Sequence, residues 1–184
     1  MFYTMNVAGV QRDLPICPVT ENLYIAGFVI FGDPELTECC ARELLKKAPE
    51  YDYIITAEAK GIPLAHEMAR QAGDERYILA RKAPKLYMQD VMSVRVNSIT
   101  TAKEQKLYLD GADAKRIRGK RVLIVDDVIS TGESLRALEA LCEYAGAEIC
   151  GRMAILAEGE AQTRSDLIYL ERLPLFNSDG TIME

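Results

Sequence analysis

The sequence predicts an α/β domain built around a largely parallel β-sheet. Strand-like and helix-like stretches alternate along the chain, which is the pattern of a sheet covered by helices on both faces. No repeat, low-complexity stretch or Pro/Gly/Ser-rich linker divides the 184 residues, so we expect residues 1–184 to form one domain. The motifs that could bind a ligand follow strands, and in parallel sheets ligands bind beyond the carboxyl ends of the strands.

The first half of the chain predicts three strands and two helices. The first helix begins at Asp33-Pro34, an N-cap residue followed by proline at the first helical position. The second helix ends at Gly73, a typical C-terminal residue. In order, these elements are strands at 23–31, 53–57 and 77–80, and helices from 34 to about 47 and from 63 to 71.

The second half begins with a basic loop over 81–90 and continues with a hairpin, a strand, a helix and a further strand. The strand at 121–125 has the clearest apolar run, and the helix after it ends at Gly146. The remaining predicted elements are the hairpin strands near 91–99 and 106–110 and the strand at 149–157.

Composition limits the compartment and the partners. Apolar residues make up 49% of the chain and charged residues 27%, as in ordinary globular proteins. No apolar run approaches the roughly 20 residues needed to span a bilayer, and the N-terminus lacks the basic-then-apolar pattern of a secretion signal. We therefore expect a cytoplasmic protein with no membrane partner. The net charge of −6 disfavours nucleic acid as a partner.

Cysteine and histidine chemistry is not indicated. Five cysteines without a Cys-x-x-Cys pair argue against a disulfide framework or a zinc site. The only histidine, His66, lies in a predicted helix and is interpreted as a surface or packing residue.

Residues 122–134 contain the most informative motif. The apolar run Val122–Val125 leads into Asp126 and Asp127, and two adjacent carboxylates are costly unless they face solvent, a cation or a polyol. The next loop, from Ser130 through Thr131, Gly132 and Glu133 to Ser134, opens a helix, where free N–H groups and the helix dipole form an anion site. A diol acceptor followed closely by an anion site suits a ribose 5-phosphate.

This motif has two other interpretations. The acidic pair could merely end a buried strand while Thr131 caps the helix. It could also be the magnesium site of a nucleotide hydrolase, but the chain contains no Gly-x-x-x-x-Gly-Lys-Ser/Thr loop to bind a triphosphate.

The run 122–134 resembles the signature of type I phosphoribosyltransferases, which bind 5-phosphoribosyl-1-pyrophosphate (PRPP). The resemblance implies the type I fold, a largely parallel sheet flanked by helices, with a small hood formed by about residues 1–35 and the C-terminal part. It also implies that Asp126 and Asp127 bind the ribose and, mostly through water, Mg²⁺. Residues 130–134 would then bind the 5-phosphate.

A second loop, Glu58-Ala59-Lys60-Gly61, lies between a strand and a helix, so its backbone N–H groups can form another anion site. It resembles the pyrophosphate loop of the family, most closely the Glu-Ala-Arg-Gly form of adenine phosphoribosyltransferases. Lysine replaces arginine here, which retains the charge but loses the bidentate geometry. The alternative is an ordinary strand-to-helix turn.

A third stretch, 81–86, carries three cations, Arg81, Lys82 and Lys85, and resembles the start of the mobile loop in adenine phosphoribosyltransferases. These cations could neutralise a leaving pyrophosphate, and with Lys60 we expect Arg81 and Lys85 to stabilise it. The alternative is a solvated basic loop.

The resemblance implies transfer of the phosphoribosyl group of Mg-PRPP to a purine, with adenine favoured. Ser130 stands where hypoxanthine-guanine enzymes place an aspartate, which disfavours that branch. The stretch 100–105 lacks the Glu-Tyr-Gly-Thr-like motif of adenine enzymes; Glu104 could replace its glutamate, but the register leaves the base-proton residue unassigned. Xanthine or orotate specificity and a PRPP-sensing regulatory domain stay open. Related enzymes are commonly dimers, so a homodimer is expected.

Overall fold

A computed structural model describes residues 1–97 and 104–183. The strands in chain order are β1 (Phe2–Val7), β2 (Val10–Pro18), β3 (Tyr24–Ala26), β4 (Tyr53–Ala57), β5 (Ile78–Ala80), β6 (Met92–Asn97), β7 (Glu104–Leu109), β8 (Arg121–Ile129), β9 (Glu148–Glu158), β10 (Ile168–Leu173) and β11 (Leu175–Phe176). The helices are α1 (Pro34–Leu45), α2 (Ile62–Ala72), α3 (Gly111–Ile117) and α4 (Glu133–Ala145), with a 3-10 turn at Gly159–Thr163.

The main sheet contains five strands in the order β10-β9-β8-β4-β5, and every neighbouring pair is parallel. A second sheet, which we call the hood, is antiparallel and has the order β1-β2-β3-β11. The predicted fold class, a largely parallel sheet flanked by helices with a small hood, is therefore confirmed.

Two layers of apolar side chains cover the main sheet. One layer lies among the sheet, α1, α2 and the hood, and it includes Leu36 and Leu44 of α1 and Phe28 and Phe176 from the hood side. The other lies among the sheet, α3, α4 and the β6–β7 hairpin, and Leu138 of α4 is fully buried there. The hood thus packs on the same side of the sheet as α1 and α2.

The beginning of α1 also attaches the hood. The Asp33 carboxylate accepts a hydrogen bond from the Leu36 backbone N–H at 3.1 Å, and Pro34 occupies the first turn, so the predicted helix start is confirmed. The same carboxylate forms two hydrogen bonds with the Arg12 guanidinium of β2, at 2.6 and 3.0 Å. This cap therefore links hood strand and helix.

Several predicted boundaries were wrong, for identifiable reasons. The strand predicted at 23–31 is confined to Tyr24–Ala26, because Phe28 and Ile30 beyond it are buried in the core without pairing in a sheet. The helix predicted to run to about Lys47 ends at Leu45, because the Lys47 backbone N–H donates to Leu44 O, three residues back, and not to the carbonyl four residues back. The strand predicted to end at Val125 runs to Ile129, since it continues to pair with β9.

Other predicted elements are confirmed. The hairpin near 91–110 is present as the antiparallel pair β6–β7, and the helices that end at Gly73 and Gly146 do so. His66 is exposed, and its ring meets Tyr77 edge-on at 6.1 Å. Among the described residues, no helix is long and apolar enough to cross a membrane. All five cysteines are free thiols.

Candidate active site

The carboxyl ends of the main-sheet strands bring three predicted loops to one edge. Residues 58–61 follow β4, and the basic stretch from Arg81 follows β5. The loop 130–134 follows β8, which lies beside β4. Parallel neighbours end at the same edge of a sheet, so the topology places the three motifs together. We call this region the carboxyl edge.

The sequence predicted that the acidic pair follows the strand, but the structure places both aspartates within it. Asp126 is opposite Ala154 of β9, and pairing continues past it to Ile129. The pairing of β8 with β4, in contrast, ends at Ile124, so the two aspartates lie where these strands have separated. The backbone of the acidic pair is therefore held by β9 on one side, whereas β4 no longer pairs with it on the other side.

Asp127 is buried, with 2% exposure, and its carboxylate is paired with a cation. The Lys60 ammonium donates to Asp127 Oδ2 at 2.7 Å, while the Lys60 side chain is 46% exposed. The structure thus joins the pyrophosphate-type loop to the acidic pair through one ion pair. A buried carboxylate without a partner would be strongly unfavourable, so this contact stabilises the edge.

Asp126 has a different environment. Burial, together with the neighbouring Asp127 carboxylate, raises the pKa of Asp126 above its ordinary value. The Asp127 backbone N–H donates to Asp126 Oδ1 at 2.9 Å, which opposes that rise. For a carboxyl group with a raised pKa, a nearby cation or hydroxyl donors stabilise the charged form.

Gly61 allows the loop after β4 to lie directly against the acidic pair. A Cβ at this position would be 2.2 Å from Thr56 Oγ1 and 2.9 Å from Asp126 Oδ1, closer than side chains tolerate. Thr56 is fully buried, and its hydroxyl has no hydrogen-bond partner within the described part of the chain. The sequence does not distinguish Thr56 from any other residue typical of β-strands.

Glu58 and Arg81 join the second and third loops. One Glu58 carboxylate oxygen accepts from the Arg81 guanidinium, and the other accepts from the Lys82 backbone N–H at 2.8 Å. Burial alone would raise the pKa of the Glu58 carboxyl, but these hydrogen bonds outweigh it and keep the pKa below its ordinary value. Arg81 also contacts the Tyr87 hydroxyl, whereas Lys82 and Lys85 are exposed.

The loop after β8 has the form of an open helix start. Helix α4 begins at Glu133, and the N-cap residue is Gly132 and not Thr131; no side chain caps it. Gly132 has a φ of 73°, in the left-handed region that favours glycine. Arg164 Nη1 would lie 3.5 Å from a Cβ at Gly132. The Arg164 guanidinium is itself paired with Asp166 at 2.7 Å, so the feature that favours an anion at this loop is the helix start without a side-chain cap.

Glu158 is a further polar residue at this edge that the sequence predictions missed. It is the last residue of β9, the strand next to β8, and it is half-buried. The signal was available, because Glu158 is the first charged residue after the apolar run that was predicted as a strand at 149–157. The Glu104 candidate cannot be placed beside it, since residues 98–103 and the Glu104 side chain lie outside what the structure describes.

The donor set suits a magnesium ion that is bound mainly by other oxygens. Among the described residues, no three His, Cys, Asp or Glu side chains form a metal-binding group. Asp126 and Asp127 provide two carboxylates, and Mg²⁺ commonly combines one or two carboxylates with water and substrate oxygens. The residues present therefore fit an ion that arrives with a phosphorylated substrate.

Comparison with known proteins identifies the class. The family model described as "phosphoribosyl transferase domain" matches residues 37–177. The chain belongs to this family. The predicted family is thus confirmed, whereas the roles of the individual site residues stay predictions.

Relatives and solved structures differ in the base that they are named for. A hypoxanthine/guanine phosphoribosyltransferase of Methanothermococcus okinawensis is 32% identical, over 94% of this chain and 98% of the relative. One from Methanococcus voltae is 33% identical, over 75% of this chain and 70% of the relative.

The similar solved structures are named for a different base, adenine. The adenine phosphoribosyltransferase of Thermoanaerobacter pseudethanolicus superimposes with a TM-score of 0.71 at 20% identity, covering 86% of this chain and 95% of that chain. The enzyme of the same name from Rhodothermus marinus gives 0.65 at 22% identity, with 94% of each chain covered. These likenesses establish the fold.

Proposed function

We propose that the protein transfers the phosphoribosyl group of Mg-PRPP to a purine base, giving a nucleoside 5'-monophosphate and pyrophosphate. The observation that supports this proposal most is the arrangement on β8 and α4. Asp126 and Asp127 lie immediately before an uncapped helix start at 130–134, and Lys60 of the adjacent loop contacts Asp127. A ribose 5-phosphate requires a diol acceptor and an anion site at this spacing, beside a cation for the leaving group.

Each part of the site has a distinct task in this proposal. Ser130, Thr131, Gly132, Glu133 and Ser134 bind the 5-phosphate through backbone N–H groups and hydroxyls. Asp126 and Asp127 accept hydrogen bonds from the ribose hydroxyls and lie near the positive charge that develops at the anomeric carbon. Such a reaction needs positioning and electrostatic stabilisation more than covalent chemistry from the protein.

The leaving pyrophosphate is assigned to the loops after β4 and β5. The backbone of residues 58–61 provides N–H groups, and Lys60, Arg81 and Lys85 provide charge. In the structure Lys60 and Arg81 contact Asp127 and Glu58, so both must exchange a carboxylate for pyrophosphate oxygens when substrate binds. The exposed Lys82 and Lys85 side chains can approach the pyrophosphate without breaking such a pair.

Magnesium, where bound, would neutralise part of the pyrophosphate charge, with Asp126 and Asp127 as its protein partners through water. The hood and the stretch that begins at Arg81 are the parts able to exclude water from the reacting atoms. We also propose that residues 1–184 act as one domain, with the hood covering the base, and that the protein is a homodimer.

Adenine is the base that we propose. It is supported by the likeness of residues 58–61 and 81–86 to the loops of adenine enzymes and by Ser130 in place of an aspartate. A second candidate is a 6-oxopurine, because relatives at 32–33% identity are named for hypoxanthine and guanine. Turnover with each base separately decides between them.

The test is incubation with Mg-PRPP and a panel of nucleobases, with release of pyrophosphate as the readout. We expect release with a purine, and none with orotate. Absence of pyrophosphate with every base, together with stabilisation of the protein by Mg-PRPP, would instead favour a PRPP-sensing domain.

Asp127→Asn tests the ribose assignment directly. Because the amide keeps the shape but loses the charge, it should raise the PRPP Kd about 10-fold or more, the size of a lost hydrogen bond to a charged group. Asp90→Asn, at an exposed position, is the matched control and should leave the Kd unchanged. Wild-type PRPP affinity in Asp127→Asn would refute the assignment.

A further inference from the structure

Thr56 carries a buried side-chain oxygen without a hydrogen-bond partner. The residue is fully buried, and among the described residues its hydroxyl neither donates nor accepts a hydrogen bond. Leaving a buried hydroxyl in this state is unfavourable, whereas an apolar side chain of similar shape would carry no such penalty. Such groups are rare in folded proteins, and each one calls for an explanation such as a catalytic role or a bound water or ion. The Thr56 hydroxyl is therefore available as a donor.

The Thr56 hydroxyl lies where β4 and β8 separate. Ile55 is the last β4 residue that pairs with β8, so Thr56 is the first residue beyond this pairing. Gly61 lies against both strands at that point, because a Cβ on Gly61 would be 2.2 Å from Thr56 Oγ1 and 2.9 Å from Asp126 Oδ1. Both oxygens are therefore beside the same residue, at the contact between the loop after β4 and the acidic pair.

The cation that contacts the acidic pair belongs to the same loop. Lys60, which precedes Gly61, donates from its ammonium to Asp127 Oδ2 at 2.7 Å. In the proposed function Lys60 must leave Asp127 to bind pyrophosphate oxygens. Two adjacent carboxylates, of which Asp127 is buried, then lose this charge partner while they have to orient the ribose. A second donor beside them would offset that loss.

We propose that the Thr56 hydroxyl donates a hydrogen bond to the Asp126 carboxylate when Lys60 leaves Asp127 for the pyrophosphate. This inference rests on the proposed function, in which the pyrophosphate attracts Lys60. Thr56 is then a positioning residue, because it contacts no substrate itself and keeps Asp126 oriented towards the ribose while Lys60 binds elsewhere. The hydroxyl that has no partner in the ligand-free protein gains one in the complex.

Lys60→Met reproduces the loss of the cation without any ligand. If the Thr56 hydroxyl then binds Asp126, its removal is more harmful in this background than in the wild type. We expect Thr56→Val to lower Tm by about 3–6 °C more in Lys60→Met than in the wild type, the size of one hydrogen bond to a charged group at this chain length. The packing effect of the new methyl group is common to both backgrounds and cancels in this difference. Thr56→Ala, which adds no methyl group, gives the same comparison if Thr56→Val does not fold.

Thr37→Val is the matched control. Thr37 is also a buried threonine, but its hydroxyl already donates to the Asp33 backbone carbonyl at 2.7 Å, in α1. Its effect on Tm should be the same with and without Lys60. Equal shifts of Tm for the Thr56 variant in the two backgrounds would overturn the inference, because the hydroxyl would then not respond to the loss of the cation.

Mg-PRPP tests the same exchange in the complex. Thr56→Val should raise the Mg-PRPP Kd about 10-fold, whereas Thr56→Ser keeps the hydroxyl and should stay within about twofold of the wild type. Ribose 5-phosphate has no pyrophosphate to attract Lys60, so its Kd should not change in Thr56→Val. An unchanged PRPP Kd, or an equal loss for both ligands, would contradict the inference. Failure of the proposed function is seen separately, as absence of pyrophosphate release in the base panel, and leaves the comparison of Tm in the two backgrounds decisive for Thr56.

Discussion

The ion pair between Lys60 and Asp127 allows a quantitative test of how the carboxyl edge is stabilised. The Asp127 side chain is 3% exposed and the Lys60 side chain 46% exposed, so Lys60→Met leaves a buried carboxylate without its cation. Breaking a fully buried pair costs roughly 3–5 kcal/mol. Because solvent screens the exposed half of Lys60, we expect about 1–3 kcal/mol. At this chain length each kcal/mol lowers Tm by roughly 2–4 °C.

The measurement is a double-mutant cycle of Lys60→Met and Asp127→Asn by urea denaturation. If the loss comes from the unpaired carboxylate, Asp127→Asn should restore most of it in the double variant, giving a coupling energy of about 1–2 kcal/mol. Lys115→Met is the control, since its partner Asp90 is as exposed as Lys115 itself, and it should change stability by less than about 0.5 kcal/mol. Additive effects of the two site variants would refute this account.

Two further perturbations test the close approach at Gly61 and the attachment of the hood. Gly61→Ala should destabilise the protein by about 1–3 kcal/mol, since the new Cβ meets Thr56 Oγ1 at 2.2 Å. Adding Thr56→Ala removes that oxygen and should recover part of the loss in thermal melts; no recovery would show that the Asp126 contact dominates. Asp33→Asn tests the hood cap. The hydrogen bond from Arg12 is the main cause that lowers the Asp33 pKa below 3.8, so its contribution is present above that pH and is lost as pH falls through the lowered pKa. Acid unfolding of Asp33→Asn should therefore depend less on pH, and an unchanged profile would contradict the role of this pair.

The parts of the fold that sequence predicted well are those with local signals. The cap at Asp33, the strand 53–57 and the apolar run into Asp126 each combine a periodic pattern with a boundary residue. The strand 53–57 and the run into Asp126 fix the carboxyl edge, so the position of most of the candidate site could be predicted from the sequence.

The elements that sequence did not resolve depend on long-range pairing. The hood strands β1 and β11 come from opposite ends of the chain, and β8 extends past Val125 because β9 pairs with it there. Phe28 and Ile30 looked like strand residues because burial in the core and burial in a sheet select the same apolar side chains. Nothing local distinguishes these cases.

The same limit explains why the ion pairs of the carboxyl edge were missed. A motif identifies a residue type at a position, but which carboxylate contacts which cation depends on neighbouring strands that are distant in sequence. Lys60 is 67 residues from Asp127, and Arg81 is 23 from Glu58. These pairings join the cations of the two loops that were predicted to bind anions to carboxylates. In the proposed function, pyrophosphate must therefore compete with groups of the protein. Glu158, in contrast, is half-buried and has no such contact among the described residues. In the proposed function, binding of PRPP is therefore an exchange of ion pairs, in which the carboxylates paired with Lys60 and Arg81 are replaced by pyrophosphate oxygens.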